Sequence, residues 1–184
     1  MINSTRLEAF ARFAGLSVHV IKTRRRDSLL PFHSREKGEK QMVYGPEHYL
    51  AWTLYLELIE FGFTMSAAAS AVRNCEAAEA FLSRLNLGDD CSRLLFLTRS
   101  VSVGNGEVRR ESALLDPTAQ ALHDLQISSD SVTTVQMRCM WRRSVRRARE
   151  VGIRLLPGAV LEDEHWHSGS PPNIETDAPP PSRK

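Results

Sequence analysis

The stretch from residue 6 to residue 26, RLEAFARFAGLSVHVIKTRRR, constrains the fold more than any other part of the chain. Its apolar residues recur at spacings of three and four, which predicts two short helices. Gly15 can adopt the left-handed conformation that ends the first helix, and Ser17 can cap the second. Thr5 stands three residues before Glu8, the pattern of a reciprocal cap at a helix start. The stretch therefore predicts a helix-turn-helix unit.

The second of these helices combines a packing face with a cationic one. Val18 and Ile21 fall on the packing face, and the other positions carry side chains that bind base edges and phosphate oxygens. The candidate DNA-binding residues of this helix are Ser17, His19, Lys22, Thr23, Arg24, Arg25 and Arg26. A run of arginines is also common on a solvated helix face, so this stretch alone leaves both interpretations open.

A polar segment after the second helix predicts an exposed wing. Residues 33–41, HSREKGEKQ, have a glycine at their centre, and Val43, Tyr44 and Gly45 close the segment. Such a composition fits a hairpin tip in solvent. The wing adds four candidate DNA-binding residues, Arg35, Lys37, Lys40 and Tyr44.

Two further helices are predicted after the wing. Pro46 and Glu47 begin a third helix, since proline tolerates the first helical position and an acidic side chain suits the helix dipole there. This helix runs to about residue 61 and is so rich in large apolar residues that it must be covered on more than one side. Gly62 ends it, and Thr64 caps a fourth helix with the sequence MSAAASAVRN.

The order of these parts resembles the winged helix-turn-helix domain of MerR-like regulators. The resemblance rests on LEAFARFAGLSVHVIK, on SLLPF, on the wing with its closing Tyr44, and on EFGFTMSAAASAV at the end of the long helix. It covers roughly residues 6–73 and implies a dimeric DNA-binding regulator of transcription. Three positions depart from the family's pattern: Arg24 replaces an aromatic residue, Ser28 a glycine, and Met42 the wing arginine.

Composition agrees with a small globular protein that has local basic regions. The 184 residues are 42% apolar and 25% charged, enough for one large or two small cores. The net charge is only +2, yet residues 17–45 hold seven Lys or Arg against three acids, and residues 138–154 hold seven Arg against one acid. Local fields of this kind attract a polyanion. Without a signal-peptide pattern or a run of about 18 apolar residues, we expect a cytoplasmic protein with no membrane partner.

The cysteines and polar residues predict neither a metal site nor catalysis. Cys75, Cys91 and Cys139 are widely spaced, with no CxxC or Cys/His cluster, so we expect no metal and no cofactor. The resemblance to MerR-like regulators also implies metal sensing as an alternative, since metal-sensing relatives have cysteines on either side of a long dimerisation helix. The helical segment between Cys75 and Cys91 is short, so buried or idle thiols are favoured. No nucleophile, base and orienting group stand in a recognisable spacing, which predicts that the protein is not an enzyme.

The pattern becomes extended after residue 92. Residues 93–103 and 108–115 predict a β-hairpin around the turn GNGE. A helix is expected over 116–125, a strand over 127–138, and an arginine-rich helix over 140–151. That last helix is either simply solvated or a second nucleic-acid surface.

Together these features predict an α+β protein in three parts. Residues 1–74 form a winged helix-turn-helix DNA-binding domain that folds on its own, and residues 75–160 a small αβ module for oligomerisation or a protein partner. Residues 161–184 form a disordered acidic and proline-rich tail. We expect a sequence-specific transcriptional regulator that binds double-stranded DNA as a homodimer. The alternatives are an accessory factor that bends DNA in recombination or excision, and a protein-interaction module that binds no DNA.

Overall fold

The computed structural model describes residues 6–33, 43–103, 105, 107–117 and 131–155. Within these ranges the fold combines helices with a three-stranded antiparallel sheet, so the α+β class predicted from the sequence is confirmed. The predicted wing residues Arg35, Lys37 and Lys40, most of the predicted helix 116–125 and the tail lie outside the described residues. The elements in chain order are α1 (Leu7–Ala14), α2 (Val18–Arg26), α3 (Pro46–Glu60), α4 (Met65–Cys75), α5 (Ala77–Asn86), β1 (Leu95–Ser102), β2 (Val108–Leu115), β3 (Ser131–Gln136) and α6 (Met137–Glu150).

The turn between α1 and α2 has the predicted chemistry. Gly15 ends α1 with φ +70°, in the left-handed region that glycine adopts without steric cost. Ser17 is the N-cap of α2, and its Oγ accepts a hydrogen bond from the Val20 amide at 3.3 Å. The reciprocal cap predicted for α1 is wrong. Arg6, rather than Thr5, occupies the N-cap position, and it makes no side-chain capping bond.

Helix α3 runs through the middle of the protein. Pro46 stands at its start, and His48 Nδ1 accepts a hydrogen bond from the Gly45 amide at 2.9 Å. Its buried residues occupy more than one face, as the sequence predicts, because α1, α4, α5 and α6 all pack against it. Thr64 caps α4 by accepting a hydrogen bond from the Ala67 amide at 3.2 Å.

The sheet has the strand order β2-β1-β3, and both pairings are antiparallel. The predicted hairpin is confirmed, with Phe96 of β1 opposite Leu114 of β2 and Val135 of β3. The predicted boundary between the last strand and the last helix is wrong. β3 ends at Gln136, and α6 begins at the next residue, Met137. The amide of Met137 donates a hydrogen bond to the Leu94 carbonyl, and its side chain is buried in the core, so the chain turns from strand to helix at this point.

One hydrophobic core joins the two halves of the chain. The cluster of buried side chains extends from Phe10 in α1 through Phe96 in β1 to Leu155. α6 packs on α3, and α4 packs on β2. The boundary predicted after residue 74 falls in the last turn of α4. The core cluster contains side chains from both sides of this boundary, so the core is continuous across it. Among the described residues, no helix combines the length and apolar character needed to cross a membrane.

Candidate nucleic-acid interface

The exposed side of α2 presents three basic or imidazole side chains in a row. His19, Lys22 and Arg25 are all exposed and follow one another at a spacing of three, so they share one helix face. Ile21 of the same helix is buried in the core and holds the helix in place. Together with the exposed N-cap Ser17 at the start of this nine-residue helix, the three exposed side chains form the polar strip of α2 (Ser17, His19, Lys22 and Arg25).

Arg26 belongs to the same exposed turn but is partly compensated. Its Nε donates to Asp27 Oδ1 at 2.9 Å, and both side chains are exposed. Hydrogen bonding to Asp27 and its negative charge raise the pKa of Arg26. A phosphate would therefore compete with Asp27 for this guanidinium, whereas His19, Lys22 and Arg25 make no ion pair within the described part of the chain.

Arg24 points away from the strip and packs on the core. Its guanidinium carbon lies 5.5 Å from the ring centroid of Trp52, and its Nη1 donates to the hydroxyl of Tyr55 at 3.3 Å. Burial raises the pKa of the Tyr55 phenol, and the charge of Arg24 partly opposes this shift. The side chain of Arg24 thus ties α2 to α3, and the prediction that it contacts DNA stays a prediction. Thr23 is half-buried beside it.

Tyr44 is a core residue. Only 1% of it is exposed, and its ring stacks on Phe10 with centroids 4.3 Å apart and planes 9° from parallel. Burial raises the pKa of its phenol, with an opposing effect from the charge of Arg25. A buried ring cannot reach a DNA backbone without leaving the core, so the burial of Tyr44 contradicts the predicted DNA contact.

A small cleft at the C-terminal end of α2 brings together residues that the sequence does not connect. It has a volume of about 220 Å³, and Arg25, Ser28, Leu30, Phe32, His33 and Arg73 line it. Arg73 comes from α4, and its Nη1 donates to the carbonyls of Ser28 at 3.0 Å and Leu30 at 3.3 Å. The sequence does not predict a role for Arg73, because this residue lies more than forty positions from the loop that it contacts. It does not predict one for His33 either, which stands at the start of the polar wing segment.

The arginines of α6 divide between packing and exposure. Arg147 lies 5.5 Å from the ring centroid of Phe13, and Arg143 pairs with Glu57 of α3. A second cleft, of about 420 Å³, lies between α3 and α6. Three glutamates and three arginines line it, so its charges largely compensate one another. The lining residues are Thr53, Leu56, Glu57, Glu60, Arg143, Arg146, Arg147 and Glu150. Arg142, Arg146 and Arg149 are exposed at spacings of four and three and share one outer face.

The cysteines do not form a joint site. Cys91 is buried, Cys75 half-buried and Cys139 exposed, and none of the three forms a disulfide. Burial raises the pKa values of the Cys75 and Cys91 thiols, which disfavours the thiolate needed for metal ligation. In the described ranges, no group of three or more His, Cys, Asp or Glu side chains is placed to hold a metal ion.

Comparison with known proteins adds no further constraint. No protein-family model matches the chain, and no curated protein matches it significantly. The polar strip of α2 and the cleft beside it are the candidate functional surfaces of the described residues.

Proposed function

We propose that the chain binds double-stranded DNA sequence-specifically and regulates transcription in the manner of MerR-like regulators. One observation carries the proposal: the polar strip of α2 is exposed and cationic and makes no ion pair with an acid among the described residues, while Ile21 anchors the same helix in the core. The major groove of B-DNA is about 12 Å wide and admits a single helix of this kind. The strip is then the surface that enters the groove.

The side chains of the strip suit different parts of a DNA site. Lys22 and Arg25 can donate to the O6 and N7 acceptors of guanine, and His19 and Ser17, nearer the N-terminus, can reach phosphate or base edges. Arg35, Lys37 and Lys40 would contact the flanking backbone from the wing. We further propose that the protein acts in the cytoplasm as a homodimer, because one short helix covers one half-site and specific sites usually combine two.

The direct test is genome-wide DNA capture with the purified full chain. Palindromic sites beside promoters are the expected result. Repeated direct sites at a recombination attachment locus would replace the regulator with the accessory DNA-bending factor as the function. No enrichment of any sequence would overturn DNA recognition and leave the protein-interaction module as the remaining function.

Substitutions in the strip test which side chains read bases. Lys22→Ala and Arg25→Ala should each weaken binding at the captured site by about 1–3 kcal/mol and relax its sequence preference. Arg84→Ala, an exposed arginine on α5, is the matched control and should bind like the unmodified chain. If both strip variants weaken captured and random DNA equally, these side chains contact only the backbone.

A further inference from the structure

Beyond the strip itself, the cleft at the end of α2 has the composition of an anion site. Its lining includes two guanidinium groups, those of Arg25 and Arg73, together with the imidazole of His33. No carboxylate is among its lining residues within the described part of the chain. The one acidic side chain in the adjacent turn, Asp27, is engaged by Arg26 at 2.9 Å. An anion entering the cleft would therefore meet two guanidinium groups and no carboxylate among the described lining residues.

Arg73 is held in a fixed orientation before any ligand arrives. Its Nη1 donates to two carbonyls of the loop, those of Ser28 and Leu30, which accounts for both hydrogens on that nitrogen. Nε and Nη2 make no hydrogen bond within the described residues. These two nitrogens form the planar edge that binds two oxygens of a phosphate at once. Since the loop already orients the guanidinium, little side-chain entropy remains to be lost on binding.

The loop that completes the cleft has an unusual backbone at the point that Arg73 contacts. Ser28 has φ +55°, a left-handed conformation that residues with a side chain rarely adopt. The hydrogen bond from Arg73 to its carbonyl stabilises this conformation, which turns the chain toward Phe32 and His33. Thus α4 positions a loop from the far end of α2 and supplies a cation to the same place.

We propose that this cleft binds a single phosphate group, held by Arg73 and Arg25 and capped by His33. The inference rests on the proposed function, in which that phosphate belongs to the DNA backbone beside the groove entered by α2. Arg25 is then shared between the strip and the cleft, so it joins base contact to backbone contact. A free phosphate has the same chemistry, and the test below separates the two sources.

The first arm of the test uses inorganic phosphate and the full chain. Phosphate is titrated against chloride at constant ionic strength, while NMR follows the Arg73 side-chain N–H and the amides of residues 28–30, 32 and 33. Saturable shifts at these positions are expected, and Arg25→Gln or His33→Gln should weaken the binding about tenfold, the loss of one charge-assisted hydrogen bond. Arg84→Gln should leave it unchanged.

The second arm measures the salt dependence of binding to a short duplex. The logarithm of affinity should fall against the logarithm of salt concentration with a slope of roughly −4 to −6 per protomer, at about −0.9 per phosphate contact. Arg73→Gln and Arg25→Gln should each make the slope shallower by about 0.9, because each removes one positive charge, with Arg84→Gln again as control. Arg73→Lys keeps the charge, so it should weaken binding with little change in slope, since a lysine cannot bind two phosphate oxygens in the same plane. The Arg25→Gln variant keeps the test valid if substitution of Arg73 disturbs the loop.

The outcomes distinguish this inference from the function on which it rests. Shallower slopes, with or without saturable free phosphate, support a backbone phosphate in the cleft. Saturable phosphate with unchanged slopes would overturn the DNA assignment and make the cleft a site for a free anion. Phosphate binding by a chain that does not bind DNA would sink the proposed function and leave the cleft as an anion site. No response in either arm would overturn the inference.

Discussion

At the scale of single residues, three consecutive arginines of α2 have three different environments. Arg24 packs on Trp52, Arg25 lines the cleft and belongs to the polar strip, and Arg26 pairs with Asp27. The helical rotation of about 100° per residue separates them, so neighbours in the sequence face different surroundings. Substitutions of single arginines in this run should therefore affect either the stability of the fold or DNA binding, but not both.

The first prediction compares Arg24→Ala with Arg25→Ala. Arg24→Ala should lower the free energy of unfolding by about 1 kcal/mol, since it removes a contact with an aromatic ring and a hydrogen bond to Tyr55. Arg25→Ala should leave stability within about 0.5 kcal/mol and reduce DNA affinity instead. Urea denaturation of both variants, followed by binding measurements at equal folded concentration, checks this. Equal losses of stability would contradict the placement of Arg24.

A second prediction at this scale concerns the turn before α2. Gly15→Ala should destabilise the protein by about 1–2 kcal/mol, because its φ of +70° is unfavourable for a residue with a Cβ. That Cβ would also lie 3.2 Å from Arg147 Nη2. Gly88→Ala is the control, with φ +82° and no described atom within 4 Å of the added carbon. Thermal unfolding should show a similar loss for both, since the flexible Arg147 can move aside. A gain in stability for Gly15→Ala would disprove the strained turn.

At the scale of elements, cross-strand pairs set the register of the sheet. Arg99 of β1 lies directly opposite Glu111 of β2, and Arg99 Nη2 lies 2.6 Å from Glu111 Oε2 with both side chains half-buried. Hydrogen bonding from Arg99, then its charge, lowers the pKa of the Glu111 carboxyl. A one-residue slip of the hairpin would separate this pair, because the two side chains would then lie on opposite faces of the sheet.

The third prediction follows from that lowered pKa. Because folding lowers the pKa of Glu111 below its ordinary 4.5, the pair stabilises the fold above about pH 4.5. The stabilisation is lost as the pH falls through the lowered value in the folded state. Glu111→Gln should therefore be less stable than the unmodified chain at pH 7, and the difference should vanish in acid. Denaturation at a series of pH values tests this, with exposed Glu107→Gln as control. A difference independent of pH would show that Glu111 acts through packing alone.

At the scale of the whole molecule, the proposed DNA-binding elements share their core with the rest of the chain. α3 contacts α5 and α6 as well as α1 and α4, and Arg147 of α6 packs on Phe13 of α1. Ser144 of α6 also donates to Thr53 Oγ1 of α3 at 2.8 Å. A change at the sheet or at α6 can therefore reach α2 through α3.

The fourth prediction reverses one made from the sequence. A fragment of residues 1–74 should fail to fold cooperatively, because removal of α5, the sheet and α6 exposes the sides of α3 that they cover. A chain ending at residue 157 keeps these elements and should unfold in one transition. Near-ultraviolet circular dichroism and urea denaturation compare the two. A cooperative transition in the short fragment would show that residues 1–74 are an independent domain.

Local features of this chain were determined by the sequence alone. The glycine turn at Gly15, the caps at Ser17 and Thr64, the start of α3 at Pro46 and the β-hairpin were predicted correctly. Each depends on residues within a few positions of one another, where hydrogen bonding and backbone preference act without help from distant parts. The α+β class followed from the same local patterns.

Tertiary structure alone decided which polar residues face solvent and which meet each other. Helical spacing could not place Arg24 on Trp52 or bury Tyr44 against Phe10, since both depend on where α3 and α1 pack. The cleft of Arg25, His33 and Arg73 depends on α4 lying beside the end of α2. Burial and long-range pairing arise from the free energy of the whole core, so no local pattern encodes them.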